Sequence, residues 1–211
     1  MPIVGVIMRI VAFAIALGLG WSVAVAAAAA PPAAVACGPR AAHTLASTPV
    51  ARVYISGRSV LGCAAGGGGT HGLGSAGRCP GAPHVGVVAL AGATAAYALR
   101  TCGVDTSSAQ VVVRALSSGR RRHAFDAVSA VLGPESFVTV GSIVVTGSGD
   151  VAWIGSASSI VSHRRVTQVL SAASGTPRVL ASGPRIALGS LRLSGSTLSW
   201  RIGRTRQTGR F

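Results

Sequence analysis

The sequence predicts an all-β protein, a β-propeller-like repeat of irregular four-stranded units preceded by an N-terminal helical signal segment. Three observations lead to this prediction. Short apolar strands recur around Ser/Gly turns, a bulky side chain follows each turn at a nearly constant distance, and no convincing amphipathic helix occurs after residue 40. A two-sheet β-sandwich made from the same hairpins is the alternative fold.

Four segments carry the recurring pattern. They are "RVYISGRSVLGC" (52–63), "VVALAGATAAYAL" (87–99), "IVVTGSGDVAWIG" (143–155) and "LRLSGSTLSWRI" (191–202). Their turn glycines are Gly57, Gly92, Gly147 and Gly195, and the bulky residues five or six positions later are Cys63, Tyr97, Trp153 and Trp200. Glycine supplies the positive φ that tight hairpin turns need. The pattern therefore indicates a degenerate internal repeat.

Second hairpins complete the four-stranded units. They are "AQVVVRALSSGRRRHAF" (109–125) and "RVTQVLSAASGTPRVL" (165–180). The predicted units run approximately over 51–75, 86–125, 137–181 and 189–211, within one domain that spans 51–211. The glycine-rich stretch 64–84 lacks clear strands and weakens the first unit, and "AFDAVSAVLG" (124–133) is a short candidate helix.

Large rings in such units fill the space between neighbouring sheets. Tyr97, Trp153 and Trp200 are therefore predicted to be buried packing residues that recur once per unit. In the last hairpin, leucine, tryptophan and isoleucine share one parity, whereas Arg192, Ser199 and Arg201 take the other. One face of that hairpin is expected to be dry and the other wet.

Residues 1–30 resemble a signal peptide, followed by an extended segment over 31–50. Arg9 precedes a long apolar run, and Ala24-Val25-Ala26 fits the small-x-small cleavage pattern. An uncleaved membrane anchor and lipidation at Cys37 are the alternatives, and either would attach the chain to a membrane only through its N-terminus. The expected location is secreted or cell-surface.

Cys37, Cys63, Cys79 and Cys102 are the four cysteines. In an oxidising compartment they favour two disulfides, for which three connectivities exist. The pairing Cys63–Cys102 with Cys37–Cys79 is our expectation. A zinc set of Cys63, His71, Cys79 and His84 is the alternative, but it lacks the short ligand spacings of compact zinc sites.

The charge balance is strongly basic, with 19 arginines, no lysine, four acidic residues and a formal charge of +15. Arg120, Arg121 and Arg122 are candidate anion-binding residues, through bidentate guanidinium contacts to an anionic polymer. A second basic stretch contains Arg185, Arg192, Arg201, Arg204, Arg206 and Arg210. Solvated strand faces are the alternative role for both. Nucleic acid is disfavoured, because the imbalance reflects missing carboxylates and GC-rich codon bias as much as clustered arginines.

No catalytic or cofactor-binding residue is predicted. "GLGSAG" (72–77) is followed by prolines rather than by a helix, unlike a dinucleotide-binding turn. The sequence also lacks a G-x-S-x-G nucleophile elbow. The leading expectation is an exported binding or structural module for an anionic cell-surface polymer or a protein partner. A small secreted hydrolase with dispersed serine and histidine residues is the alternative.

The C-terminal half, notably "VAWI" and "SLRLSGSTLSW", resembles a group of uncharacterised exported actinobacterial proteins. The resemblance extends over most of residues 50–205. It implies a signal peptide followed by propeller-like β repeats, and it implies no activity or catalytic residues.

Overall fold

The computed structural model describes residues 37–77, 82–130, 132–133 and 135–211, which belong to one compact unit. These residues form fifteen β-strands and no helix, so the all-β prediction is confirmed. The predicted signal peptide and Cys79 lie outside the described residues. Nowhere in the described ranges is there a helix with the length and apolarity of a membrane span.

The strands follow one another as antiparallel meanders. Meander 1 contains β1 (His43–Thr48), β2 (Ala51–Ser56), β3 (Ser59–Ala64) and β4 (Gly67–Ser75). Meander 2 contains β5 (His84–Ala91), β6 (Thr94–Cys102), β7 (Ser107–Ala115) and β8 (Arg121–Asp126). Meander 3 contains β9 (Ser136–Val145), β10 (Val151–Ser159), β11 (Arg165–Ala173) and β12 (Thr176–Ser182). The terminal sheet contains β13 (Arg192–Ser194), β14 (Thr197–Ile202) and β15 (Thr205–Arg210).

The three meanders form one mixed twelve-stranded sheet, but only narrow contacts join them. A parallel bridge between Ser75 and His84 links β4 to β5, and another between Ser107 and Phe137 links β7 to β9. All other strand pairs in this sheet are antiparallel. Each meander can therefore turn its broad face toward the next one.

Apolar clusters show that consecutive meanders pack face to face. Tyr97 of β6 packs with meander 1, whereas its neighbour Ala96 packs with meander 3. Likewise Trp153 of β10 packs with meander 2, whereas Ile154 packs with the terminal sheet. Successive side chains of a strand point to opposite faces. Meanders 2 and 3 are therefore buried on both faces, which explains why their central strands are apolar at nearly every position.

The three predicted rings occupy corresponding places. Tyr97, Trp153 and Trp200 lie on β6, β10 and β14, the second strand of each sheet, and they are 1%, 0% and 4% exposed. Each ring belongs to the cluster between its own sheet and the preceding one. Their predicted burial is therefore confirmed.

Hydrogen bonds between hairpin turns also recur. The Thr48 hydroxyl donates to Gly92 O at 2.9 Å, and the Thr94 hydroxyl donates to Gly147 O at 3.0 Å. Both acceptors belong to the turn between the first and second strands of the following meander. These bonds fix how one meander sits against the next, because they join the same end of adjacent sheets.

In meander 1, the bulky residue that corresponds to Tyr97 is not the one that the sequence predicted. Cys63 lies on β3, the third strand, whereas the buried Tyr54 takes the fourth position of β2, as Tyr97 does in β6. The assignment of Cys63 to the ring position was wrong. The β1–β2 turn contains Pro49 and no glycine, so a pattern defined by turn glycines indicates the Gly57 turn between β2 and β3 instead.

Meander 1 is also longer than predicted. The segment 31–50, expected to be extended, contains β1, which pairs with β2. The glycine-rich stretch forms β4 along β3, with two shifts of register. Glycine is required at Gly68, where φ is +71° and a Cβ would clash with Ser117 O. The candidate helix within 124–133 is absent in its described part, because Ala124–Asp126 ends β8.

The cysteine pairing differs from our expectation. Cys37 is bonded to Cys63, with 6.0 Å between their Cα atoms, so both predicted pairings, Cys63 with Cys102 and Cys37 with Cys79, were wrong. Cys102 is disulfide-bonded too. Spacing alone could not show that the chain before β1 folds back across β3. The bond also removes Cys63 from the alternative zinc set, because a metal ligand must be a thiolate.

Arg52 holds the segment before β1 over the outer face of meander 1. Its guanidinium donates to Pro39 O at 3.1 Å, to Ala42 O at 2.6 Å and to the Thr44 hydroxyl at 2.8 Å. The same group lies 5.1 Å from the centre of the Tyr54 ring. This segment thus covers the ring in the place that a preceding sheet would occupy.

Asp150 organises the end of meander 3. Its carboxylate accepts bonds from the Ser148 hydroxyl at 2.7 Å and from the Ser174 backbone N–H at 3.2 Å. The Ser148 bond holds the pKa of Asp150 below its ordinary value, with further help from Ser174 and Thr146 and against the opposing effect of burial. Asp150 therefore joins the β9–β10 and β11–β12 turns.

We expect Asp150→Ala to lower the free energy of unfolding by about 1 kcal/mol at pH 7, because charge-assisted bonds are lost. Since folding lowers this pKa, the stabilisation is present above the unfolded value and is lost as the pH falls through the folded value. Urea titrations at pH 7 and at about pH 3 should show the difference between variant and wild type shrinking at low pH. Asp105→Ala is the exposed control, and an unchanged difference at low pH would contradict the prediction.

Candidate functional site

The terminal sheet has one entirely polar face. In register, Arg201 lies opposite Arg206, Arg192 opposite Ser199, and Arg210 opposite Thr197. Because residues opposite one another share a face, these side chains lie on the face away from Leu198 and Trp200. We call Arg192, Arg201, Arg206 and Arg210 the arginine face; all four are exposed. The predicted dry parity and the exposure of Arg192 and Arg201 are thereby confirmed, whereas Ser199, predicted to be wet, is buried on the polar face.

The arginine face lacks acidic neighbours on its own sheet. Arg201 and Arg206 are directly opposite across two strands, an arrangement that destabilises a sheet when the charges are alike. No Asp or Glu side chain follows Asp150 in the sequence, so the terminal sheet contributes no carboxylate side chain to offset them. An external anion would relieve this repulsion.

A cavity of about 490 Å³ opens beside the arginine face. It is lined by Ala187, Gly189, Ser190, Arg192, Trp200, Arg201, Arg204 and Arg206. The Ser190 hydroxyl donates to Ala187 O at 2.6 Å and accepts the Arg201 backbone N–H at 3.0 Å. These two bonds fix the loop against β14, so the cavity wall is formed before any ligand arrives.

Four arginines line the cavity, namely Arg192, Arg201, Arg204 and Arg206, and side-chain hydrogen bonds hold two of them in place. Arg192 Nη1 donates to Gly189 O at 3.0 Å and to Leu191 O at 2.7 Å, and Arg206 Nη2 donates to the Ser199 hydroxyl at 3.0 Å. In the described part of the chain, no side-chain hydrogen bond restrains Arg201 or Arg204. Each guanidinium carries five N–H donors, so most donors here remain available to an oxyanion.

The sequence-predicted Arg120, Arg121 and Arg122 lie elsewhere, Arg120 in the turn before β8 and the other two at the start of β8. Arg122 Nη1 donates to Ser148 O at 2.9 Å, so it joins meander 2 to the β9–β10 turn. Arg121 is paired across the strands with Arg114. The structure therefore separates this triplet from the arginine face and gives Arg122 a packing role.

The alternative hydrolase needs a histidine beside a serine or a carboxylate. The ring of His71 packs against Gly119, and the ring of His123 stacks on Phe125 with 5.5 Å between centroids. For these two and for His43 and His163, no hydrogen bond to a serine or a carboxylate occurs among the described residues. "GLGSAG" begins inside β4 and opens no helix in its described part.

Metal binding finds no support in the described ranges, which contain no group of three or more His, Cys, Asp or Glu side chains that could hold an ion. The chain matched no protein-family model, no curated protein and no solved structure. The arginine face and its cavity thus define the candidate site by their geometry.

Sequence reasoning identified the C-terminal arginines but missed their arrangement. The pattern "WRIGRTRQ" contains the signal, because a tight turn at Gly203 and Arg204 places the arginines on either side opposite each other. The part played by Ser190 had no such signal, since the loop before β13 has no periodic pattern.

Proposed function

We propose that this chain is an exported, non-enzymatic binding module that attaches to an anionic cell-surface polymer through the arginine face. The observation that carries the proposal is the directly opposed pair Arg201 and Arg206, without an acidic side chain on their sheet. Guanidinium groups bind carboxylate and phosphate oxygens in a bidentate manner. Several of them on one face of a sheet suit a polymer with repeated anionic groups better than a single ion.

Export is supported by two independent features. Residues 1–30 have the charge, apolar run and small-x-small site of a signal peptide. Cys37 and Cys63 form a disulfide, a bond that persists in oxidising compartments. Both features suit a protein that works outside the membrane, where anionic polymers coat the cell.

We further infer that meanders 1 to 3 and the terminal sheet act as propeller-like repeat units. Three features support this inference: the face-to-face packing of successive sheets, the ring on each second strand, and the recurring bonds from Thr48 and Thr94 to the next turn. The outer face of the terminal sheet carries exposed arginines, so it is a surface available for a ligand.

A matched pair of double variants tests the binding role. We expect Arg201→Gln with Arg206→Gln to weaken binding to immobilised polygalacturonate about tenfold or more, because two opposed charges are lost from one face. Arg120→Gln with Arg121→Gln removes the same charge from β8 and its preceding turn, and it should weaken binding about twofold or less. Surface plasmon resonance at low and high salt would measure both, with dextran as the neutral polymer.

Binding should also fall steeply as salt is added, since exposed charges are screened within about 10 Å at 0.1 M salt. Equal losses in the two double variants would show that only net charge matters and would contradict the proposal. Equal retention of wild type on dextran would contradict it as well.

A further inference from the structure

A second cavity, of about 410 Å³, lies between meander 3 and the segment 183–190. We call it the Arg100 cleft; its lining includes Arg100, Phe137, Thr139, Ser156, Arg165 and Thr167. Ile186 and Leu188 of the segment line this cleft, whereas Ala187 and Gly189 line the cavity beside the arginine face. Alternate residues of one segment therefore face two separate cavities.

Arg100 makes the cleft positive and has one buried donor without an acceptor. Its Nη2 donates to the Ser107 hydroxyl at 2.9 Å, while its Nε is buried and has no acceptor among the described residues. A buried donor without a partner is unfavourable, so an acceptor in the cleft would be stabilised there. Arg165 adds a second, exposed guanidinium, and no lining residue is acidic.

The neighbouring imidazole adds little positive charge beside Arg100. His84 lies opposite Arg100 across β5 and β6. Burial lowers the pKa of His84, and the charge of Arg100 lowers it further. The imidazole is therefore protonated less readily than an ordinary histidine, and the positive charge at this place comes from Arg100.

The hydroxyl groups of the cleft are positioned to accept hydrogen bonds. The Ser156 hydroxyl donates to Val166 O at 3.1 Å and lies 3.1 Å from the Thr167 hydroxyl. With the Ser156 proton used in this way, Thr167 donates to Ser156. Both hydroxyl protons are then engaged, so the free lone pairs of the two hydroxyl oxygens can accept hydrogen bonds from ligand hydroxyls.

The wall opposite meander 3 is held at both ends. Gly183 N–H donates to Thr167 O at 2.9 Å, and the Ser142 hydroxyl donates to Leu188 O at 2.6 Å. Gly141 allows this approach, because a Cβ there would clash with Leu188. The cleft is thus preformed, and Phe137 and Ile186 give it an apolar side.

We propose that the Arg100 cleft binds one acidic sugar residue, a hydroxyl-bearing ring with a carboxylate. The carboxylate would meet Arg100 and Arg165, the ring hydroxyls would donate to Ser156 and Thr167, and the C–H face of the ring would pack on Phe137. A simple anion would form hydrogen bonds only with the two arginines. A neutral sugar would form hydrogen bonds only with the two hydroxyl groups. This site does not depend on the arginine face.

Isothermal titration with galacturonate tests the proposal, with galactose and acetate as partial ligands. We expect galacturonate to bind at least about tenfold more tightly than either, because each partial ligand lacks one set of contacts. Saturation by acetate with equal affinity, equal binding of galactose, or no saturable heat with galacturonate would each overturn the proposal.

Variants locate the site. Arg100→Lys should weaken galacturonate about tenfold, because lysine keeps the charge but cannot replace the Nε donor. Arg165→Gln, at an exposed position where folding is not at risk, should weaken it severalfold. Arg58→Gln, in an exposed turn, and the Arg201→Gln with Arg206→Gln double variant should leave it unchanged. Loss of galacturonate binding in that double variant would contradict the location of the site in the Arg100 cleft. Unchanged galacturonate binding in Arg165→Gln would contradict it too.

Discussion

Replacing Trp153 by alanine is expected to lower the free energy of unfolding by about 3–5 kcal/mol. The side chain is fully buried at the centre of the cluster between meanders 2 and 3. Its ring stacks on Phe125 with 5.6 Å between centroids, and Nε1 donates to Ala127 O at 2.9 Å. The substitution therefore removes a large apolar volume and leaves a buried carbonyl without its donor.

Urea denaturation followed by circular dichroism would measure this loss. Trp153→Phe keeps a ring but not the N–H donor, so it should cost less than the alanine substitution. Val104→Ala, at a position that is 98% exposed, serves as the control and should change stability little. A loss below about 1 kcal/mol for Trp153→Ala would mean that this ring does not hold the two meanders together.

Removing the Cys37–Cys63 disulfide is the second large effect that we expect. The bond closes a sequence separation of 26 residues, and a loop of this size favours the folded chain by about 2–4 kcal/mol. The segment that it ties down carries Pro39 and Ala42, the carbonyl partners of Arg52 over Tyr54. Cys37→Ser with Cys63→Ser should therefore lower stability and expose the Tyr54 ring.

Thermal unfolding of the double serine variant measures the loss, and the tyrosine fluorescence of the folded protein reports the exposure of the ring. Arg52→Ala keeps the disulfide but removes the guanidinium contacts, so it separates the two contributions and should cost less. Peptide mapping without reduction should recover Cys37 joined to Cys63. Recovery of Cys63 joined to Cys102, or a double variant as stable as wild type, would refute the account of this face.

Hairpins with a glycine turn could be predicted well from the sequence. Gly92, Gly147 and Gly195 lie in turns between adjacent strands in the structure. Gly92 and Gly195 adopt the positive φ that favours glycine. The alternation around Trp200 also gave the correct dry and wet faces, since a strand in an antiparallel sheet keeps strict parity.

Features that depend on distant residues could not be predicted. Cys37 and Cys63 meet because the segment before β1 folds across meander 1, and no local pattern records that path. The Arg100 cleft combines Arg100 with Arg165, which lie on different meanders. The opposition of Arg201 to Arg206 is an intermediate case, because it follows from the position of one turn, and a shift of that turn by one residue would have separated them.

Chemical modification of arginines, read residue by residue by mass spectrometry, tests the central claim most directly. The protein would be treated with a dicarbonyl reagent with and without polygalacturonate, and the reacted fraction at each arginine compared. The account predicts that the polymer protects Arg201, Arg206 and Arg192 and leaves Arg120 and Arg121 reactive. Protection of Arg120 and Arg121 with Arg201 and Arg206 still reactive would contradict it.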